Sequence, residues 1–177
     1  MTKMRSGLII FFLTLHMLYQ PTAHAGEETR LYAQAVKAAK SGRPDFAFMY
    51  YSAILRNYPQ SEYRERALFA SGEYDYQLPN TAEAARMFES FIADYPQSPG
   101  RLFALAYLYK AAETQENQSA LDDLKKEILT FRQVGLVFKE FKEREYHSPL
   151  ERMHRAVFHI DKVEFYIAGD LFVQVSY

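Results

Sequence analysis

The sequence predicts a mainly α fold, a solenoid of antiparallel helix pairs, with a C-terminal segment that reads as a β-hairpin. Three observations carry this. Asn57-Tyr58-Pro59-Gln60-Ser61 recurs as Asp94-Tyr95-Pro96-Gln97-Ser98, an offset of 37 residues, and self-similarity at such a period marks a repeat architecture. Upstream of each copy, small and apolar residues share one helical face: Ala47, Tyr51, Ile54 and Leu55 in the first, Ala84, Phe88, Phe91 and Ile92 in the second. Pro59 and Pro96 then stop those helices, because proline lacks the N–H and clashes with the preceding turn.

The elements follow in order. Lys3 and Arg5 precede an apolar run from Gly7 to Tyr19, and Ala23-His24-Ala25 supplies a small-x-small cleavage site. Residues 1–25 therefore read as a cleavable secretory signal peptide, with the mature chain starting at Gly26. The apolar run is shorter than the roughly 20 residues a membrane span takes. Residues 26–114 read as helical repeats. Ser41-Gly42-Arg43-Pro44-Asp45 and Pro79-Asn80-Thr81 are turns between helices, and Ser61 and Ser98 are candidate N-caps for the helices after the prolines. There Ala67 aligns with Ala104 and Leu68 with Leu105.

Residues 115–153 read as a polar linker followed by a further helix, from Ala120 to about Glu145. Leu121, Leu124, Ile128, Phe131, Val134, Phe138 and Phe141 fall mostly three or four apart. The mixed charges of Lys139 to Glu145 read as its solvated face, and His147-Ser148-Pro149 breaks it. Residues 154–177 have two readings. Val163, Phe165 and Ile167 alternate on one strand, and Leu171, Val173 and Val175 on a partner, across a turn at Ala168-Gly169. The alternative is that Glu164 to Ala168 opens another helical repeat. Glycine and β-branched residues suit a helix poorly, which favours the hairpin.

Composition excludes several function classes. Loss of residues 1–25 removes two of the 21 basic residues and none of the 22 acidic ones, leaving a net charge of −3. That is no footprint for nucleic acid, which needs a clustered basic excess. There is no cysteine, hence no thiol nucleophile, no disulfide framework and no thiol to carry a lipid anchor. The chain has neither a G-x-S-x-G elbow nor a phosphate-binding glycine loop. The spacings of His147, His154 and His159 match no zinc motif. On one helix His147 and His154 would share a face, but the plainer reading is solvated histidines near a proline break. No catalytic residue, metal site or cofactor is therefore expected.

In each unit a small residue is followed four positions later by an aromatic and twelve later by proline: Ala47/Tyr51/Pro59 and Ala84/Phe88/Pro96. Gly72 and Ala35 stand twelve before Ala84 and Ala47. This pattern resembles the tetratricopeptide repeat (TPR), over roughly Thr29 to Thr114. Leu31, Leu68 and Leu105 stand at the family's tryptophan-type position, and the unit is longer than the usual TPR period. Repeats ending in Tyr58-Pro59-Gln60-Ser61 and Tyr95-Pro96-Gln97-Ser98 resemble those of envelope TPR proteins: BamD-type outer-membrane assembly factors and Tol-Pal-associated periplasmic proteins. The missing lipid-acceptor cysteine departs from BamD itself. The resemblance implies a non-enzymatic periplasmic adaptor that binds envelope proteins or peptides, with peripheral association to a membrane complex. The alternative is a secreted enzyme or ligand-binding protein acting through its C-terminal part. By resemblance the concave TPR groove is lined by Tyr32, Arg66, Phe69, Glu73, Tyr76 and Lys110. Fourteen Tyr and fourteen Phe suit both helix packing and a recognition surface.

Overall fold

The computed structural model describes residues 23–78, 80–137 and 143–176. Most of the predicted signal peptide, up to residue 22, lies outside the described residues, as do Phe138 and Phe141 of the predicted helical stripe. Six helices are described: α1 (Ala23–Lys40), α2 (Pro44–Asn57), α3 (Arg64–Gln77), α4 (Thr81–Asp94), α5 (Arg101–Thr114) and α6 (Gln118–Val137). Four strands follow: β1 (Glu143–His147), β2 (Met153–Phe158), β3 (Lys162–Ile167) and β4 (Asp170–Ser176). Each helix packs against the next in sequence, as short connections dictate for a solenoid of helix pairs.

The repeat is written into the burial. Ala47, Tyr51 and Ile54 of α2 are buried, and so are Ala84, Phe88 and Phe91 of α4. Both helices end alike, with the Tyr58 N–H donating to the Ile54 carbonyl and the Tyr95 N–H to the Phe91 carbonyl, each at 2.9 Å. Gly72 lets α3 and α4 approach: a Cβ there would lie 3.0 Å from the Phe88 ring. The α1–α2 turn is a Schellman motif. Arg43 donates to Ala38 and Gly42 to Ala39, and Gly42 takes a φ of 66°, which glycine adopts without steric cost. Ser61 and Ser98 act one step earlier than expected. Their hydroxyls accept the N–H groups of Tyr63 and Gly100, so they tie the turns ahead of α3 and α5 rather than cap the helices.

The predicted hairpin is present and is half of a larger sheet. The strands form an antiparallel meander in the order β1-β2-β3-β4. Ala168 and Gly169 both take positive φ, 52° and 95°, the signature of a two-residue type I′ turn whose twist matches the strands. This rules out the alternative of a helix opening at Glu164. One detail of register differs from the sequence reading. A bulge opposite Phe165/Tyr166 pairs Tyr166 with Leu171. Leu171 is consequently 56 % exposed, and Phe172 packs against Tyr76 and Tyr107 instead.

The helix expected to reach about Glu145 is described as far as Val137, and it does not include Glu143–His147, which is an edge strand. Charges on a sheet edge discourage pairing with another chain, and along the sequence they resemble the polar face of a helix. The inner sheet face, Ala156, Phe158, Val163, Phe165, Val173 and Val175, shares one core with α3, α4, α5 and α6. Enclosed in that core, α5 buries every residue from Leu102 to Leu108. A helix apolar on all sides needs such cover. Leu150, between β1 and β2, enters a second core with Ala35, Ala47, Tyr51 and Ile54.

Candidate functional site

The site grows from one face of α3. Arg66, Phe69, Glu73 and Tyr76 recur at three- and four-residue spacing and so share a side of the helix. The chain's own C-terminal sheet lies across the middle of that side. Phe69 makes edge-to-face contacts with Phe88 and Phe91 on α4, both at 5.4 Å between centroids. It makes others with Tyr146 of β1 at 4.7 Å and His154 of β2 at 5.7 Å. Phe69 and Glu73 are both fully buried. The expectation that they face outward is corrected for this arrangement: their contacts are spent on α4 and α5 and on sheet residues some eighty positions further along the chain.

Beside Phe69 sits a sealed polar cluster. Tyr107 Oη lies 3.1 Å from His154 Nε2 and donates to Glu73 Oε1 at 3.5 Å. His154 Nε2 stands 3.4 Å from the same carboxylate oxygen, and Arg152 Nε 3.9 Å. Burial raises the Glu73 pKa to about 7, against the opposing pull of Ser148, Arg152 and Tyr107. Burial likewise lowers that of His154 to about 4. A neutral His154 can donate from Nδ1 to the Arg152 carbonyl at 3.3 Å, which leaves Nε2 an alternative acceptor to Glu73 for the one Tyr107 proton. Among the described residues Glu73 Oε2 has no hydrogen-bond partner. The groups have acid–base character, but Glu73 is 0 % and His154 1 % exposed. No substrate reaches them while the sheet is docked, so the cluster works as a joint between helices and sheet.

The other groove residues lie towards the two ends. Tyr32 stacks on Tyr63 at 4.1 Å, and the exposed Arg66 holds its guanidinium 5.9 Å from the Tyr32 ring centroid. Tyr76 is half-buried between Tyr107 and Phe172. Lys110 pairs with Glu113 at 2.6 Å and bears electrostatically on the Tyr76 hydroxyl. His147 and His154 do not share a face. His147 points outward near Glu151, at 3.9 Å, while His154 is buried, which corrects the reading of both as solvated. Sequence reasoning missed Tyr107, Tyr146 and His154 as the groove's contents. The available signal was the alternation of His154, Ala156 and Phe158, which puts the histidine on an apolar strand face.

Comparison with known proteins agrees with the resemblance carried by the aromatic-Pro-x-Ser repeats. The family model YfiO, described as outer membrane lipoprotein, matches residues 24–169 and so takes in both the helical repeats and most of the sheet. Among curated proteins nothing matches the sequence.

Proposed function

We propose that this chain, which belongs to the YfiO family of outer membrane lipoproteins, is a non-enzymatic adaptor on the periplasmic side of the envelope. It binds envelope proteins or peptides in the service of outer-membrane protein assembly. The observation that carries the reading is the family match across 24–169. The repeat architecture supports it, since stacked helix pairs offer extended surfaces for other polypeptides. The 177 residues hold no cysteine, and attachment to the membrane through a partner complex is part of the proposal.

Tyr32 and Arg66 are the groove residues we assign to the first contact with a partner. Arg66 is exposed and Tyr32 is pre-ordered by its stack on Tyr63, and Tyr and Arg are the residue types enriched among binding hot spots. Tyr76 and Lys110 form the far end. Phe69 and Glu73 join the surface only when the sheet leaves the groove. The test is affinity purification from envelope fractions with the wild-type chain and with Tyr32→Ala and Arg66→Ala. Outer-membrane assembly proteins should co-purify with the wild type and be lost from the variants, at unchanged melting temperature for Arg66→Ala and with a modest decrease for Tyr32→Ala, which loses its stack on Tyr63. Capture unaffected by both substitutions removes these residues from the site, and a wild type that retains no assembly protein removes the function. Mass analysis of the exported chain should find Gly26 at its N-terminus; retention of Met1 to Tyr19 contradicts the signal-peptide reading.

A further inference from the structure

A cleft opens between α2 and α4, floored by the side of α3 turned away from the sheet. It measures about 550 Å³, within the range of roughly 300–1,000 Å³ typical of ligand pockets. Its walls are apolar: Phe48, Met49 and Leu55 from α2 and Met87 from α4. Met49 is 47 % exposed at the mouth, and Phe48 is held in place by stacking on Tyr74 at 4.4 Å. No residue of the sheet lines the cleft.

Its floor is polar and under-satisfied. Ser71 is 2 % exposed, and among the described residues its Oγ has no hydrogen-bond partner. A buried hydroxyl without a partner is uncommon and calls for an explanation. One helical turn on, Asp75 is 5 % exposed, and among the described residues its carboxylate accepts a long hydrogen bond, from Asn80 Nδ2 at 3.4 Å. Burial, and then Glu83 nearby, hold its carboxyl above the usual range, against the pull of Asn80. At the rim Glu83 is paired with Arg86 on its own helix and Arg56 also lines the cleft, so Asp75 is the acceptor charge at the floor.

Acceptors beneath apolar walls fit a cation carried on an aliphatic stem. We propose that this cleft is a receptor for an arginine side chain projected by a partner polypeptide. The stem lies against Met49, Leu55 and Met87, as long basic side chains cover apolar surface. The guanidinium meets Asp75 and, through a small outward shift of the floor, the Ser71 hydroxyl, whose oxygen is sealed in the free protein. A planar group with five donors in fixed directions can reach both acceptors at once, whereas an ammonium is a compact point charge. The inference is independent of the groove on the opposite side of α3.

The test uses agmatine, a four-carbon chain with a guanidinium at one end and an ammonium at the other, titrated into the purified chain beside the diammonium cadaverine and followed by two-dimensional NMR. Saturable shifts are expected at Ser71, Asp75, Met49 and Met87, with cadaverine binding more weakly and pentanol more weakly still. Asp75→Asn should weaken agmatine roughly tenfold, the loss expected for one charge-assisted hydrogen bond. Ser71→Ala removes a hydroxyl that has no partner among the described residues, so it should weaken binding while leaving the melting temperature unchanged. This second variant keeps the test decisive if Asp75→Asn misfolds. Absence of saturable shifts at the cleft, or binding unaltered by Ser71→Ala, overturns the proposal. Equal binding of cadaverine overturns the assignment to arginine.

Discussion

The two sides of α3 show opposite solutions to the same problem. On one side Phe69 and Glu73 are sealed under β1 and β2, and even a carboxylate is taken out of water to complete the joint. On the other side Ser71 and Asp75 form the floor of an open cleft of about 550 Å³, with apolar walls left in reach of solvent. The sealed side has the richer hydrogen bonding and the denser ring contacts. In this chain the concave surface that TPR proteins are expected to offer outward is largely filled from within. The surface still open lies at the Tyr32–Arg66 end and in the cleft behind.

The sharpest way to break this contrast is to hollow out the sealed side. Phe69→Ala removes the ring that touches both α4 and the sheet, and truncating a fully buried phenylalanine costs about 3–5 kcal/mol. Chemical denaturation should show helix and sheet signals falling together at a lower midpoint. Unchanged stability would mean that the sheet does not rest on Phe69.

Next in size is a pH effect. The Glu73 pKa is raised to about 7 from 4.5, so the native state keeps this proton at a pH where the unfolded chain has lost it. Its contribution to stability is therefore fullest below 4.5 and is lost as pH rises towards 7. Relative to Glu73→Gln, the wild type should lose stability over that interval by an amount on the order of 3 kcal/mol. The groups facing Glu73 are Tyr107 from α5, Ser148 and Arg152 between β1 and β2, and His154 from β2. His154 acts in the opposite sense: its pKa is lowered to about 4 from 6.5, so its contribution is present above 6.5 and lost as pH falls through 4. Denaturation midpoints of both proteins across this range give the comparison. Parallel curves would show that Glu73 is not sealed.

Within the repeats, Ala84→Phe should overpack the α3–α4 contact and cost about 1–3 kcal/mol. Ala85→Phe, on the half-open neighbouring position, should cost less. Equal losses of melting temperature would contradict the assigned register. The smallest effect belongs to the open end, where Arg66→Ala should change stability by no more than about 0.5 kcal/mol. A larger change would mean that Arg66 is part of the joint.

The helical repeats were legible because small, aromatic and proline residues recur with a period that local helix geometry explains. Ala47, Tyr51 and Ile54 are buried as their spacing implies, and Ala84, Phe88 and Phe91 match them. The hairpin was legible from Gly169 and the alternation around it. The strand Glu143–His147 was not. Glu143, Arg144 and Glu145 satisfy a helical charge pattern as well as an edge strand, and only pairing with β2 decides between them. The groove followed the same division. The shared face of Arg66, Phe69, Glu73 and Tyr76 can be read from α3 itself. What covers it comes from Tyr146 and His154, far along the chain, and no local pattern reports a contact of that range.

The docking of the sheet into the groove is tested most directly by titrating the His154 ring. His154 is buried by Phe69, Phe103, Tyr107 and Tyr146 around it, so its protonation state reports whether that joint is closed. NMR of the ring protons from pH 3 to 8 should place its own midpoint near 4, with only a smaller step around neutrality as Glu73, 3.4 Å away, ionises. A midpoint near 6.5, the ordinary value for histidine, in a chain that is still folded would show that the groove is open to water.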